Sequence, residues 1–469
     1  MENTKLKILL QALSKKEFKY LRWFLQSDFF NTDANLLLLY EALAKHHPEF
    51  ESAALAKERL FSKVFPSIAF NDAKWRNLTL KMKKAVEEYL VVCEVKNEQI
   101  TWRKLLLNSY KNRNLYALYK KEFEEILAVL ENSAVQNIES LREKMQLQKE
   151  YYYHPLTQKI KSFSHLQSAR EALEILFEAE QSRMACDEIV LKTARTMKSV
   201  RQSGTVPKVE IYPYLPLYKS IFELLDNGAE ESFQNARLYF LENISRFCKE
   251  DKQFALFHLI NYTVNQINKG KGEYRRNLLD IYKIGLGENI LFENGFLTSG
   301  TFNNIASTGA ALKEFDWTMD FITEYEQYLY PATKETTKSL ALSNLYFQQK
   351  QYAKTIEILI QFNSADFDNM LIAKTLLLRS YFELFLKDRT YDELLHTFAL
   401  SFIRFIKRKN ISINKMKRYF AFINVIKEIT KSIEAGQWDK SRKEAVTKEI
   451  AQNNNMIAKP WLLEKINEL

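Results

Sequence analysis

This sequence predicts an all-α chain of stacked helical hairpins preceded by a small helical N-terminal module, and three observations lead there. Glycine is scarce: ten in 469 residues and none before Gly204, where average usage would place roughly fourteen. So long a stretch without glycine leaves little room for primed hairpin turns or a glycine-rich phosphate loop. The eight prolines punctuate the chain at breaks such as Pro48, Pro66, Pro155, Pro207 and Pro331, where they end helices. Between them Leu, Lys, Glu, Ala and Gln dominate, all strong helix formers.

Residues 1–95 read as the N-terminal module. In "LSKKEF", Ser14 and Glu17 are spaced as a capping box, each side chain satisfying an orphan backbone donor of the other. Phe18, Leu21 and Leu25 then share one helical face. Asn31, Thr32 or Asp33 starts a helix through "ANLLLLYEALAKHH", which Pro48 closes. "ALAKERLFSKVF" follows, and after Pro66 a long helix begins with Asn71 or Asp72 as its N-cap. Residues 96–205 are a middle region of long helices, and "RQSGTVPKVEIYPYLP" marks the best boundary beyond it. Residues 206–410 hold the most regular pattern, and 411–469 are basic, capping helices.

The regular pattern is clearest in "LALSNLYFQQKQYAKTIEILIQF" (340–362). Leu342 and Ser343 place a large residue beside a small one, with Tyr346 one turn later. Tyr352 sits at a turn, Thr355 is the small residue where two helices cross, and Leu359 and Phe362 follow at one-turn spacing. This arrangement resembles the tetratricopeptide repeat, a helix-turn-helix unit of about 34 residues. Looser copies surround it. Phe302, Ile305, Ala306, Gly309, Phe315, Thr318, Ile322 and Tyr325 match upstream, while Leu377, Tyr381, Tyr391 and Phe398 match downstream if the turn is four residues longer. The turn aromatics Phe233, Tyr274, Phe315, Tyr352 and Tyr391 are separated by 41, 41, 37 and 39 residues. A degenerate copy lies in the middle region (Leu106, Tyr110, Tyr116, Phe123, Ile126), with Leu107 and Tyr119 where small residues belong. The chain also resembles bacterial helical-repeat proteins that open with a similar "LSKKEF" module, a resemblance that implies no activity.

Bulk properties narrow the function. The net charge of +10 is concentrated at the C-terminal end. Seven basic residues and no acid occupy 401–420, six and no acid occupy 101–121, and five lie in 191–208. Acid-free basic stretches can track phosphates. Arg404, Lys407 and Arg408 share a helical face, and with Lys415 and Arg418 they form a candidate anion or nucleic-acid patch. A helix-turn-helix-like element beginning at Lys74, Trp75 and Arg76 is a second route to nucleic acid. Both are the alternative reading, set against ordinary solvated faces and helix packing.

Catalytic, cofactor and metal sites are not expected. "NKGKGEY" (268–274) and "GLGEN" (285–289) lack the context of phosphate or dinucleotide loops. The six histidines form no i, i+4 pair, and Cys93, Cys186 and Cys248 form no CxxC, so neither a chelate nor a disulfide frame is indicated. Buried thiols, a short N-terminal apolar run and the lack of a membrane-length segment point to a cytoplasmic, non-membrane protein.

What remains is a surface. The resemblance implies that the first helix of each hairpin lines a concave groove, so the positions its packing leaves free would hold a ligand. Those are Asn303, Asn304 and Ser307, then Asn344, Phe347 and Gln348, then Arg379. The preceding helix carries Asn261, Asn265 and Asn268 on one face. Amides both donate and accept, so such a row suits the backbone of an extended peptide. The leading expectation is a non-enzymatic interaction or scaffold protein that binds a protein or peptide partner there.

Overall fold

The computed structural model describes residues 4–51, 55–132, 137–154, 163–195, 212–409, 412–453 and 456–469. Among them are 22 α-helices and no strand, with neighbouring helices packed in succession. The chain divides into two compact units, Met1–Ser133 with Glu143–Arg170, and Ala134–Arg142 with Glu171–Leu469.

The first unit opens with α1 (Lys5–Ala12), α2 (Lys15–Gln26), α3 (Ala34–Ala44), α4 (Lys57–Val64) and α5 (Asp72–Asn97). Its caps follow from the sequence. Ser14 and Glu17 form the reciprocal capping box that starts α2, Asp33 caps α3, and Asn71 accepts from the Lys74 amide to start α5. Helix α5 buries Trp75, Leu78, Met82, Ala85, Val86 and Tyr89 in a core shared with α1–α4. Two tyrosines pin that core to α2 backbone: Tyr40 Oη donates to the Phe18 carbonyl at 2.9 Å and Tyr89 Oη to the Glu17 carbonyl at 2.8 Å.

Next come α6 (Gln99–Asn112), α7 (Tyr116–Glu131), α8 (Ile138–Tyr153) and α9 (Phe163–Arg195). The degenerate copy is a true hairpin of α6 and α7, with Leu107 and Tyr119 buried in its core instead of small residues.

The second unit is a run of hairpins: α10 (Tyr214–Asn227) with α11 (Glu230–Asn243), α12 (Lys249–Asn268) with α13 (Tyr274–Gly287), α14 (Ser299–Ala311) with α15 (Phe315–Tyr325), α16 (Lys334–Gln348) with α17 (Tyr352–Ile360), and α18 (Phe367–Lys387) with α19 (Asp392–Lys407). Helices α20 (Ile413–Glu434), α21 (Lys440–Gln452) and α22 (Lys459–Glu468) complete it. The boundary segment at 201–216 lies outside the described residues up to 211, and its last three residues are the first turn of α10, where Pro216 is tolerated.

The landmark aromatics mark helix starts: Tyr274, Phe315 and Tyr352 are the first residues of α13, α15 and α17. The turns before them share one construction. A residue in the left-handed region (Gly270, Lys313, Lys350, and Asn114 in the first unit) lets the next amide reach back to the carbonyl five residues earlier. Gln351 N donates to Tyr346 O at 2.8 Å, Glu314 N to Gly309 O at 3.0 Å and Leu115 N to Tyr110 O at 3.0 Å. These close the orphan carbonyls of the preceding helix. The helices cross where side chains are smallest. Thr355 Oγ1 donates to the Ser343 carbonyl at 3.4 Å, both residues being fully buried. Gly309 faces Thr318, and a Cβ added there would lie 2.5 Å from Thr318 Oγ1. In the last hairpin the extra residues lengthen α18 past Tyr381 before a short 3₁₀ turn, Arg389–Tyr391.

Candidate functional site

The residues expected to line a groove divide into an open set and a covered set. Asn261, Asn265 and Asn268 are exposed along α12, and Asn304 is exposed on α14. Asn304 lies beside the Tyr282 hydroxyl of α13; burial pushes that phenol up to about 12, and the Asn304 amide pulls it the other way. Asn303, Ser307, Asn344 and Gln348 are half-buried. Asn303 Oδ1 and Asn344 Oδ1 are out of reach of solvent and accept no hydrogen bond. They stand on α14 and α16, the first helices of successive hairpins, which pack directly on each other.

Phe347 and Arg379 are not free surface, contrary to expectation. Phe347 is 5% exposed, and the Arg379 guanidinium lies 4.3 Å from its ring and 4.7 Å from that of Trp461 on α22. Burial pushes Arg379 down to about 10, with Glu383 opposing the shift, and its Nε has no hydrogen-bond partner. Around this sandwich the buried Glu383 of α18 accepts from Trp461 Nε1 at 2.9 Å and pairs with Lys465 Nζ at 3.1 Å. Burial alone would lower Lys465, but Glu468 and Glu383 hold its ammonium above the ordinary value. The C-terminal helix thus closes the α16–α18 end of the face. Trp461, Glu383 and Lys465 did not stand out from the sequence. The available signal was "AKPWLLEKINEL", a proline-started helix whose Trp461, Leu462, Lys465 and Ile466 are all buried.

The basic residues are similarly divided. Arg404, Lys407 and Arg408 are exposed at the end of α19, with no carboxylate paired to them among the described residues. Lys415 is tied to Asp368, and Arg418 is exposed on α20. Of the stretch 191–208, residues 196–208 lie outside the described residues. In the first unit the helix-turn-helix-like start is divided: Trp75 is packed into the core, whereas Lys74 and Arg76 are exposed. Trp75 is 7% exposed, Lys74 Nζ lies 4.1 Å from the centre of the Phe65 ring, and Arg76 is paired with Asp72. An aromatic in the first turns of a helix serves the core here, because α5 has α1, α2 and α3 against it.

Among the described residues, no three His, Cys, Asp or Glu side chains converge to hold a metal ion, and no helix is long and apolar enough to cross a membrane. Comparison with known protein families, with curated proteins and with solved structures returns no match.

Proposed function

We propose that this chain is a non-catalytic, tetratricopeptide-like binding protein that holds an extended peptide segment of a protein partner along the first helices of its hairpins. Asn261, Asn265, Asn268, Asn303, Asn304 and Asn344 form the binding row, whereas Phe347 and Arg379 lie under α22. The observation that carries the reading is the pair of donorless carbonyl oxygens on α14 and α16. Leaving a buried acceptor unmade costs about 1–3 kcal/mol. Both asparagines are only half-buried, so these oxygens lie close beneath the surface, and a peptide N–H laid against the two helices would satisfy them.

The test is panning of a random-peptide display library on the full chain and on Asn303→Leu/Asn344→Leu. The wild type should enrich a peptide class that the double variant fails to hold. The variant itself should unfold at higher denaturant, because its orphan acceptors are gone. Equal retention by both proteins, or no enrichment by the wild type, would refute the reading.

A second reading rests on the unpaired Arg404, Lys407 and Arg408, which present positive charge at the end of α19. Binding of single- or double-stranded nucleic acid there should fall steeply between roughly 50 and 200 mM salt. No binding at the lower concentration eliminates it.

A further inference from the structure

A different face of α18 carries a second candidate site, unrelated to the asparagine row. Helices α17, α18 and α19 line an open cavity of about 310 Å³, at the lower end of the size range of small-ligand pockets. Its floor and walls are apolar: Leu359, Met370, Ala373, Leu377 and Phe398 among them, with Ile360 and Leu394 exposed at the rim. Lys374 is the one charged residue lining it. Its Nζ sits 4.9 Å from the centre of the Phe405 ring and 5.6 Å from that of Phe398. No carboxylate pairs with it among the described residues. Burial lowers its affinity for the proton.

A half-buried ammonium held over two aromatic rings and paired with no carboxylate recovers little of its lost hydration, since cation–π contact supplies roughly 0.5–2 kcal/mol. A carboxylate would restore the missing counter-charge through a charge-assisted hydrogen bond, and the apolar walls would take whatever tail it carries. We propose that this cavity binds a small amphipathic carboxylate of the fatty-acid class, with its head on Lys374 and its tail along Leu359, Leu377 and Phe398. A pocket of this size suits a tail of roughly ten carbons. Tyr381, Thr397 and Ser401 also line the cavity and supply hydroxyl groups on its wall.

Isothermal titration of the full chain with decanoate, kept below its aggregation limit, tests this, with decanol as the uncharged control. Decanoate should bind saturably at one site, with decanol about ten- to a hundredfold weaker, the range a charged hydrogen bond sets. Lys374→Met, which keeps the aliphatic stem over the two rings, should bring decanoate down to the level of decanol. Thr397→Trp, a change at an exposed rim position, should weaken both by filling the cavity. Circular dichroism checks that both variants are folded. Absence of saturable decanoate binding, equal affinity for acid and alcohol, or a Lys374→Met protein that binds decanoate as well as the wild type would each overturn the proposal.

Discussion

Glu383→Leu probes how firmly α22 is seated. The carboxylate is 6% exposed and its partner Lys465 7%, so solvent screens the pair little. Removing the carboxylate strands the Trp461 indole N–H, whose acceptor among the described residues is Glu383 Oε1; an orphan donor of this kind costs about 1–3 kcal/mol. Lys465 keeps Glu468 at 2.7 Å, but that carboxylate is 53% exposed. The lysine therefore loses only part of the 3–5 kcal/mol that breaking a buried pair typically costs. Together these give a loss of about 3–4 kcal/mol. Lys465→Met alone should cost less, since Glu383 retains Trp461 and sits near Arg379. The double variant should recover roughly 1–2 kcal/mol of the summed loss, because two apolar side chains leave no uncompensated charge. Urea unfolding followed by tryptophan fluorescence gives the cycle, and hydrogen exchange locates the loosening in α21 and α22. A Glu383→Leu protein within about 1 kcal/mol of wild type, or single losses that simply add, would refute the assignment of Glu383 as the anchor of the C-terminal helix.

Two further outcomes follow from the hairpin geometry and from a buried histidine. Gly309→Ala should cost about 1–3 kcal/mol, because its Cβ would sit 2.5 Å from Thr318 Oγ1 and 3.0 Å from the Trp317 ring; thermal unfolding reads this directly, and an unchanged midpoint means the α14–α15 crossing is looser than described. His258 is 2% exposed, and burial pushes its imidazole down to about 4, with Asp187 opposing weakly. The unfolded chain therefore takes up the proton first, near pH 6.5. Stability is fully present above that value and declines as pH falls toward 4, by up to about 3 kcal/mol. His258→Phe should flatten this part of the stability–pH curve, and an identical slope in the variant would show that His258 is not its source.

Local physics made the helices and their starts legible. The capping box at Ser14 and Glu17, the Asn71 cap, and the aromatics that open α13, α15 and α17 are short-range features, decided by residues within a turn or two of each other. The crossing of α16 and α17 at Ser343 and Thr355 was legible for the same reason, since only small side chains let two helices approach there. Long-range partners were not. Trp461 reaches Glu383 across 78 residues and Tyr89 reaches Glu17 across 72. Periodicity says that a face is buried but not what buries it. Trp75 beside two cations therefore left a nucleic-acid-facing start open as the alternative to helix packing, and it is a core residue, while Phe347 and Arg379 occupied groove offsets that α22 covers. Nor does periodicity reveal that Lys313 and Lys350 would hold the left-handed turn positions glycine usually fills, because packing on both sides of the turn imposes that conformation.

The covered and uncovered parts of the same face make the case for where a ligand would sit. Stacked hairpins need a terminal element to close their last apolar surface, and α22 does this with a set of matched polar contacts. Glu383 receives an indole N–H and an ammonium, and the Arg379 guanidinium lies between two rings. One turn back along α16 from Phe347, the Asn344 oxygen receives nothing, and neither does that of Asn303 on α14. Packing alone does not explain an amide there, since leucine would fill a similar volume without the desolvation penalty. Stability therefore favours replacing these two asparagines, and a gain of stability coupled to a loss of peptide binding is the signature that separates a binding row from amides that merely face water.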